Sequence, residues 1–377
     1  MAGNVKLTDV CDIIYGYPFD SKKFNDSIGI GLIRIRDILR GFTDTYTNEE
    51  CGKEYLIKKD DLLIGMDGEF NIAKWKGAPS VLNQRVCKLN PKNNIDKNYL
   101  FYRMPSLLKQ IESKTSFVTV KHLSAKQLNS IHFLLPELDV QEKIAKVLST
   151  VDLMLELRNR ELDMLDLLVK SRFIEMFGTY PANEKSWQTG TIRDVITEAR
   201  YGSSRPAVDG GKYPYLRMNN ITYDGRLALA DIKTIDVPDS ELPKCSVKYG
   251  DVLFNRTNSR ELVGKTCVYT SHNLMVLAGF IIRIRVKDII LPEFLSAFLN
   301  TDFSKNMLRN MCKSAIGQAN INAQEMQNIG IYIPPIEKQQ EFVRFERAIN
   351  DKSKLAIQQS FEKLETLKKS LMQEYFG

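Results

Sequence analysis

Residues 139–177 run without a glycine or a proline, and a glycine at position 178 ends the run. Along it, Ile144, Leu148, Val151, Leu155, Leu162, Leu165, Val169, Phe173 and Met176 recur in steps of three and four, with one step of seven across Arg158. That spacing gathers the apolar side chains on one stripe of a helix and is the seam of a coiled coil. At 1.5 Å per residue such a helix is about 57 Å long, too long to lie on one small domain, so the seam needs a second helix of similar length. Residues 337–376 provide it. They are entered through Pro334-Pro335-Ile336-Glu337-Lys338-Gln339-Gln340, where the first copy has Leu135-Pro136-Glu137-Leu138-Asp139-Val140-Gln141-Glu142. They close on Tyr375-Phe376-Gly377 as the first copy closes on Met176-Phe177-Gly178.

The helices are the clearest part of a duplication that covers the whole chain, and such repeats decide architecture. Leu7-Thr8-Asp9-Val10 matches Ile192-Arg193-Asp194-Val195, and each is followed by a Tyr-Gly step, Tyr15-Gly16 and Tyr201-Gly202. Residues 32–38 match 215–221, 60–64 match 250–254, 81–89 match 276–284, and 122–125 match 320–323. The anchors stay colinear, which chance matches would not. Short apolar, β-branched segments bounded by turn residues predict strands over 32–38, 62–66 and 81–89, and over 215–221, 251–255 and 276–286. Helices are expected over 97–113 and 292–312, followed by Ser124 and Asn322 as N-caps of a short helix. A last strand, 131–135 or 329–333, hands over to the long helix.

The expected class is α+β. Its domains are a first globule over 1–138, a long helix over 139–177, a linker over 178–183, a second globule over 184–336 and a second long helix over 337–377. With a linker this short, the helices pack antiparallel and hold the globules apart with approximate twofold symmetry. At 377 residues and 43% hydrophobic content, ordinary cores are available. Nothing resembles a membrane span or a signal peptide, so the expected location is the cytoplasm. Six scattered cysteines without a C-x-x-C pair read as reduced core thiols rather than zinc ligands or disulfides. The net charge of +7 has the sign of a polyanion binder but decides little by itself.

Two unlike globules alternate with two similar long helices. Each helix is entered through an apolar-Pro-x-apolar-x-x-Gln segment, Leu135 to Gln141 and Ile333 to Gln339. In this the chain resembles the specificity subunits of type I DNA restriction-modification systems over its whole length. The Gly16-Tyr17-Pro18-Phe19-Asp20-Ser21 turn and the Gly317-Gln318-Ala319-Asn320-Ile321-Asn322 loop also resemble that family's target recognition domains. The first copy has Phe117-Val118-Thr119-Val120-Lys121-His122 at the second place and lacks the glycine. The resemblance implies that each globule reads one half of a split, asymmetric site on double-stranded DNA. It implies that the helices set the gap and dock two methyltransferase subunits, with restriction and motor subunits joining for cleavage. This chain would bind no cofactor; S-adenosylmethionine, and ATP with Mg for cleavage, would sit on the partners.

Candidate DNA-binding residues follow from chemistry within that frame. Asn255-Arg256-Thr257-Asn258-Ser259-Arg260, directly after a strand, is the densest polar cluster. Arg and Asn suit guanine and adenine edges, and Thr suits phosphates; the alternative is a solvated hairpin loop. The first-copy counterpart is Gly65 to Asn71, where Asp67 can accept from cytosine or merely turn a hairpin, with Lys74 beyond it. Arg34 and Arg217 match between the copies, as do Asp37 and Asn220, and shared residues suit scaffold or phosphate contact better than distinct readout; Arg36 and Asn219 lie beside them. Tyr15, Tyr17, Ser21, Lys22 and Lys23, with Tyr201, Ser203 and Arg205, form glycine-containing loops open to a backbone. Lys114, Thr115, Lys121 and His122, with Lys313, Gln318 and Asn320, precede a helix N-terminus, a natural phosphate site.

Catalytic signatures are missing. Gly264-Lys265-Thr266 has Ser259 where a phosphate-binding loop needs glycine. Pro334-Pro335-Ile336 lacks the polar residue and the aromatic of an amino-methyltransferase loop, Pro238-Asp239 with Glu241 and Lys244 has the wrong spacing for a restriction nuclease, and three histidines offer little for general-base chemistry. No catalytic or metal residue is assigned. Two rival readings remain: an adaptor whose paired globules bind proteins, and a self-contained methyltransferase or nuclease with unfamiliar motifs.

Overall fold

A computed structural model describes residues 3–114, 121–315 and 318–377. The chain is mixed helix and sheet and divides into two compact units, Met1–Asn159 with Gln359–Gly377, and Arg160–Gln358. The divisions fall inside the long helices, so each unit owns half of both.

In the first unit an antiparallel sheet has the order Cys11–Tyr15, Val86–Pro91, Leu62–Gly65, Ile72–Lys74. In the second unit the same order recurs as Ile196–Tyr201, Ile281–Val286, Val252–Asn255, Thr266–Val268. Beside each lies a sheet with one parallel pair, Ile30–Ile33 on Ser80–Leu82 and Tyr213–Leu216 on Val276–Leu277. The duplication read from the anchors is therefore a duplication of strand order.

Two expected strands are shorter than their patterns. Residues 32–38 leave the sheet at Ile33 and enter a helix, Ile35–Arg40, while 215–221 leave at Leu216 and form a 3-10 turn, Met218–Asn220. The cause is the polar residue three places on. Asp37 accepts a hydrogen bond from the Arg34 backbone N–H at 3.0 Å, and Asn220 accepts one from Arg217 at 2.9 Å. Both are buried capping residues, so Arg34 and Arg217 stand at helix entrances rather than in strands. Residues 81–89 and 276–286 are each split between two sheets, at Asn83-Gln84-Arg85 and at Ala278-Gly279-Phe280. The Tyr-Gly steps cross there: a Cβ on Gly16 would sit 2.0 Å from the Asn83 carbonyl oxygen, and one on Gly202 2.3 Å from that of Leu277. Only glycine permits that approach. Residues 292–312 form two helices, Pro292–Asn300 and Asp302–Met311, because Thr301 caps the second by accepting from the Ser304 N–H.

The first long helix is unbroken over Leu138–Phe177. The second runs Ile336–Ala348, widens into a π turn over Ile349–Lys354, and continues over Leu355–Phe376. Within the seam Leu148, Val151 and Phe173 are buried and the other six residues are half-buried. The entry motif has a structural reason. Gln141 is 1% exposed; its side chain donates to Pro136 O at 2.8 Å and accepts from the Asp96 N–H at 2.9 Å. Gln339, 0% exposed, repeats this with Pro334 O at 2.8 Å and the Leu291 N–H at 2.8 Å. Each glutamine thereby ties the start of a long helix to the start of a globule helix, and the buried amide is satisfied.

The main core of the first unit includes Leu7, Leu62, Leu100, Leu148 and Phe376. That of the second includes Val252, Phe294, Phe173, Phe177 and Phe342. Of the six cysteines five are buried, and burial pushes the Cys87 and Cys267 thiols up to about 12. Among the described residues no helix is long and apolar enough to cross a membrane.

Candidate nucleic-acid interface

In both units the segment after the third strand of the main sheet pairs with the segment before the short capped helix. In the second unit Arg256 N donates to Phe280 O at 2.9 Å, and Arg256 O accepts from Ile321 N at 2.9 Å. In the first, Met66 N donates to Arg85 O at 3.0 Å, and Met66 O accepts from Leu123 N at 2.7 Å. The backbone bonds match and the side chains do not. The first copy has Met66 buried and Arg85 exposed; the second has Arg256 half-buried and Phe280 exposed. An arginine stands on each surface, held by a different turn.

Around Arg256 the structure gathers most of the cluster singled out from sequence. Thr257–Asn258 is a strand paired with Gln318–Asn320, so this stretch is not a free hairpin loop. The Arg256 guanidinium lies 4.8 Å from the centre of the Tyr201 ring, whose hydroxyl accepts from the Ala323 N–H at 2.8 Å at the start of the capped helix. Several polar atoms here are buried with no hydrogen-bond partner among the described residues: Asn255 Nδ2, Arg256 Nε and Asn320 Oδ1. Orphaned buried donors and acceptors are costly, and base edges carry the matching acceptors and donors. Arg260 turns aside, its Nε donating to Arg309 O at 3.3 Å.

In the first unit Asp67 is the hub. Its carboxylate holds Arg85 Nη1 at 2.6 Å and His122 Nδ1 at 2.5 Å, and its side chain is only 12% exposed. Arg85 and His122 remain 65% and 62% exposed, so they face solvent while Asp67 fixes them. Arg34, Ser21, Gln84 and Arg85 line one concave surface. Among the described residues the Arg34 side chain has no acidic partner there. Tyr15, the counterpart of Tyr201, donates its hydroxyl to Asn129 Oδ1 at 2.9 Å, and burial pushes that phenol up to about 12.

Other expected residues are placed elsewhere. Lys74 donates to Asn98 at 2.7 Å and lies over the Phe101 ring, with burial holding its amine below the usual range. Arg36 pairs with Asp44 at 2.7 Å, Arg205 with Glu241 at 2.7 Å, Arg217 with Asp231 at 3.0 Å, and Lys121 with Glu112 at 2.8 Å. Ser203 is buried in the Tyr-Gly turn and Tyr17 packs on Phe19 and Tyr55, whereas Lys22, Lys23 and Asn219 are exposed. Thr115 and the side chains of Lys114, Lys313 and Gln318 lie outside the described residues. Sequence reasoning overlooked Arg85, although it sits inside a repeat anchor at the one step, Gln84-Arg85 against Gly279-Phe280, where the copies differ most.

With this geometry in hand, the comparisons identify the class. The family described as the type I restriction modification DNA specificity domain matches twice, over residues 3–166 and 184–366. The chain belongs to that family and carries two copies of its domain. It is 27% identical over 371 residues to the type I restriction enzyme EcoBI specificity subunit of Escherichia coli, covering 90% of this chain and 77% of that one. Among solved structures, the type I restriction-modification S subunit from M. genitalium aligns with a TM-score of 0.54 at 14% identity, over 100% of this chain and 96% of that one. A chain from a structure of type I R-M complex assembly aligns with a TM-score of 0.58 at 17% identity, over 99% and 97%. At these identities the structural likeness speaks for the fold.

Proposed function

We propose that this chain is the non-catalytic DNA-recognition subunit of a type I restriction-modification complex, its recognition domains 1–138 and 184–336 each reading one half of a bipartite, asymmetric double-stranded site. One observation carries the reading: the two units share a backbone scaffold at the candidate surface but exchange its side chains, Met66 with Arg85 against Arg256 with Phe280. Equal scaffolds with unlike edges suit two surfaces that meet the same helical polymer and read different bases.

The long helices act as an antiparallel spacer between the globules and as the dock for two methyltransferase subunits. In support, the second helix contributes Phe342 to the core of the second unit and Phe376 to that of the first. Large apolar side chains off the seam are exposed as well: Leu153, Met154 and Leu157 in the first unit, and Met164, Leu167 and Leu168 in the second. Exposed apolar patches mark interaction surfaces. Adenine methylation with S-adenosylmethionine, and cleavage with ATP and Mg, belong to the partner subunits, and the complex works in the cytoplasm. The test is genome-wide mapping of methylated adenines with and without this chain. A split motif that vanishes in its absence is expected; an unchanged methylome, or methyl transfer by the isolated chain, overturns the proposal.

A further inference from the structure

The second unit contains a cavity of about 220 Å³ that the first unit does not need, and the duplication shows why. Corresponding positions can be counted from the matched glutamine bonds. Asp96 and Leu291 are equivalent because each donates its N–H to the entry glutamine. Three residues on, Tyr99 packs on Phe376 at 5.6 Å and Phe294 on Phe177 at 4.9 Å, so the register holds. Six residues on, Tyr102 corresponds to Ala297, since 102 − 96 and 297 − 291 are both 6. Eleven residues beyond the glutamines, Asp152 corresponds to Asn350, since 152 − 141 and 350 − 339 are both 11. In the first unit the Tyr102 ring is buried and its hydroxyl donates to Asp152 Oδ2 at 2.7 Å. In the second unit the ring is gone, and both Ala297 and Asn350 line the cavity.

What is left behind is chemically specific. Asn350 stands in the π turn, a helix irregularity found often at functional sites, and its Oδ1 is buried without a hydrogen-bond partner among the described residues. Phe173, Phe342 and Val169 supply apolar wall. The charged lining is mostly self-paired: Asp166 with Lys354 and Arg226, Asp224 with Arg226, and Asp302 with Lys170. Lys305 differs. It is 5% exposed, its ammonium donates only to Gly264 O at 3.2 Å and lies 5.2 Å from the Tyr223 ring centre, and no carboxylate pairs with it among the described residues. Burial first, and then the charges bearing on it, Lys265, Lys170 and Arg309, all cationic, hold the amine down to about 7. A buried cation among cations is costly until an anion arrives. Glu346 is the one lining acid with no pairing partner among the described residues, and burial pushes it up to about 7.

We propose that this cavity binds a small phenolic acid: one six-membered ring in the space that opens where Ala297 stands in place of Tyr102, its hydroxyl donating to Asn350 Oδ1 and its acidic group meeting Lys305. The size agrees, since a cavity of about 150 Å³ holds benzene, and 220 Å³ leaves room for two small substituents but not for a nucleotide. The half-exposed Ala297 places an opening on the surface.

The test is titration of the purified full chain with 4-hydroxybenzoate, benzoate, phenol and tyramine by ligand-observed NMR and calorimetry. Saturable binding of 4-hydroxybenzoate is expected, at least tenfold tighter than benzoate, which lacks the donor, and than phenol, which lacks the acid. Ala297→Tyr should abolish it by restoring the missing ring. Asn350→Leu, which keeps the cavity open, should erase the preference over benzoate, so a folding failure of the first variant does not blunt the test. Absence of saturable binding at millimolar 4-hydroxybenzoate, tighter binding of the cationic tyramine, or unchanged binding in both variants overturns the proposal.

Discussion

Replacing Arg256 with alanine separates the roles that its geometry allows. Its backbone N–H and carbonyl are bonded on both sides, to Phe280 and Ile321, so truncation leaves the local backbone intact. What the fold loses is the stacking of the guanidinium 4.8 Å from the Tyr201 ring, worth roughly 0.5 to 1 kcal/mol at a partly exposed site. What DNA binding loses, if the guanidinium bonds a guanine edge, is about 1 to 3 kcal/mol, or roughly 5- to 150-fold in affinity. The assay is fluorescence anisotropy of the assembled complex on its methylated motif and on single-base variants, at several salt concentrations. A base reader predicts a large loss on the motif, a small one on duplexes altered at one position, and an unchanged salt slope. A phosphate contact predicts a uniform loss and a log–log slope shallower by about 0.9. If affinity and selectivity both hold while thermal stability drops, Arg256 serves the fold and the assignment of this surface to DNA is wrong.

Three further outcomes are expected. Asp67→Ala should free Arg85 and His122 from their common anchor and relax selectivity in one half-site only, seen as a degenerate position in the methylated motif. Exchanging residues 184–330 for those of a relative should replace one half of the motif and leave the other, and a change in both halves would rule out independent readers. Stability should pass through a minimum near pH 7: Glu346, raised from 4.5 to about 7, favours the folded state at low pH and loses that contribution as pH rises to 7, whereas Lys305, lowered from 10.5 to about 7, loses its contribution as pH falls from 10.5 to 7. Urea unfolding at pH 5, 7 and 9.5 checks it, with Glu346→Gln flattening the acid limb and Lys305→Met the alkaline limb.

Order and periodicity made the long helices, the duplication and the capped helices at Ser124 and Asn322 legible, because each depends on residues near in sequence. The stretch Ile33-Arg34-Ile35-Arg36 shows where alternation misleads. Its alternation is that of a strand, but the buried Asp37 takes the Arg34 N–H and starts a helix. The matched pair Asp37 and Asn220 was readable as scaffold; its capping role depended on burial, which alternation does not encode. The candidate surface was legible residue by residue but not as an assembly. Nothing local says that residues 66–67 meet 121–123, or that Lys74 faces Asn98 instead of the hub at Asp67. The π turn likewise had no signature, since Ile349 to Lys354 contains neither proline nor glycine.

The duplication also shows how this surface can change its side chains without losing its backbone scaffold. At Met66 and Arg256 the structural demands fall on the backbone, whose donor and acceptor are satisfied identically in the two units. The side chain at that place is therefore released from the hydrogen-bond pattern, and the two units fill it differently: Met66 packs in the first unit's core, and the Arg256 guanidinium lies by the Tyr201 ring. The same holds at Arg85 and Phe280, whose carbonyls accept those bonds while their side chains face solvent. By contrast Gln141 and Gln339 contribute the side chain itself to the scaffold, and they remain glutamine in both copies. Here the positions that bond through the backbone have changed residue, while these two glutamines have not. Substitution at such backbone-bonded positions leaves the hydrogen-bond pattern intact, so two units with one strand order can present unlike side chains at the same place.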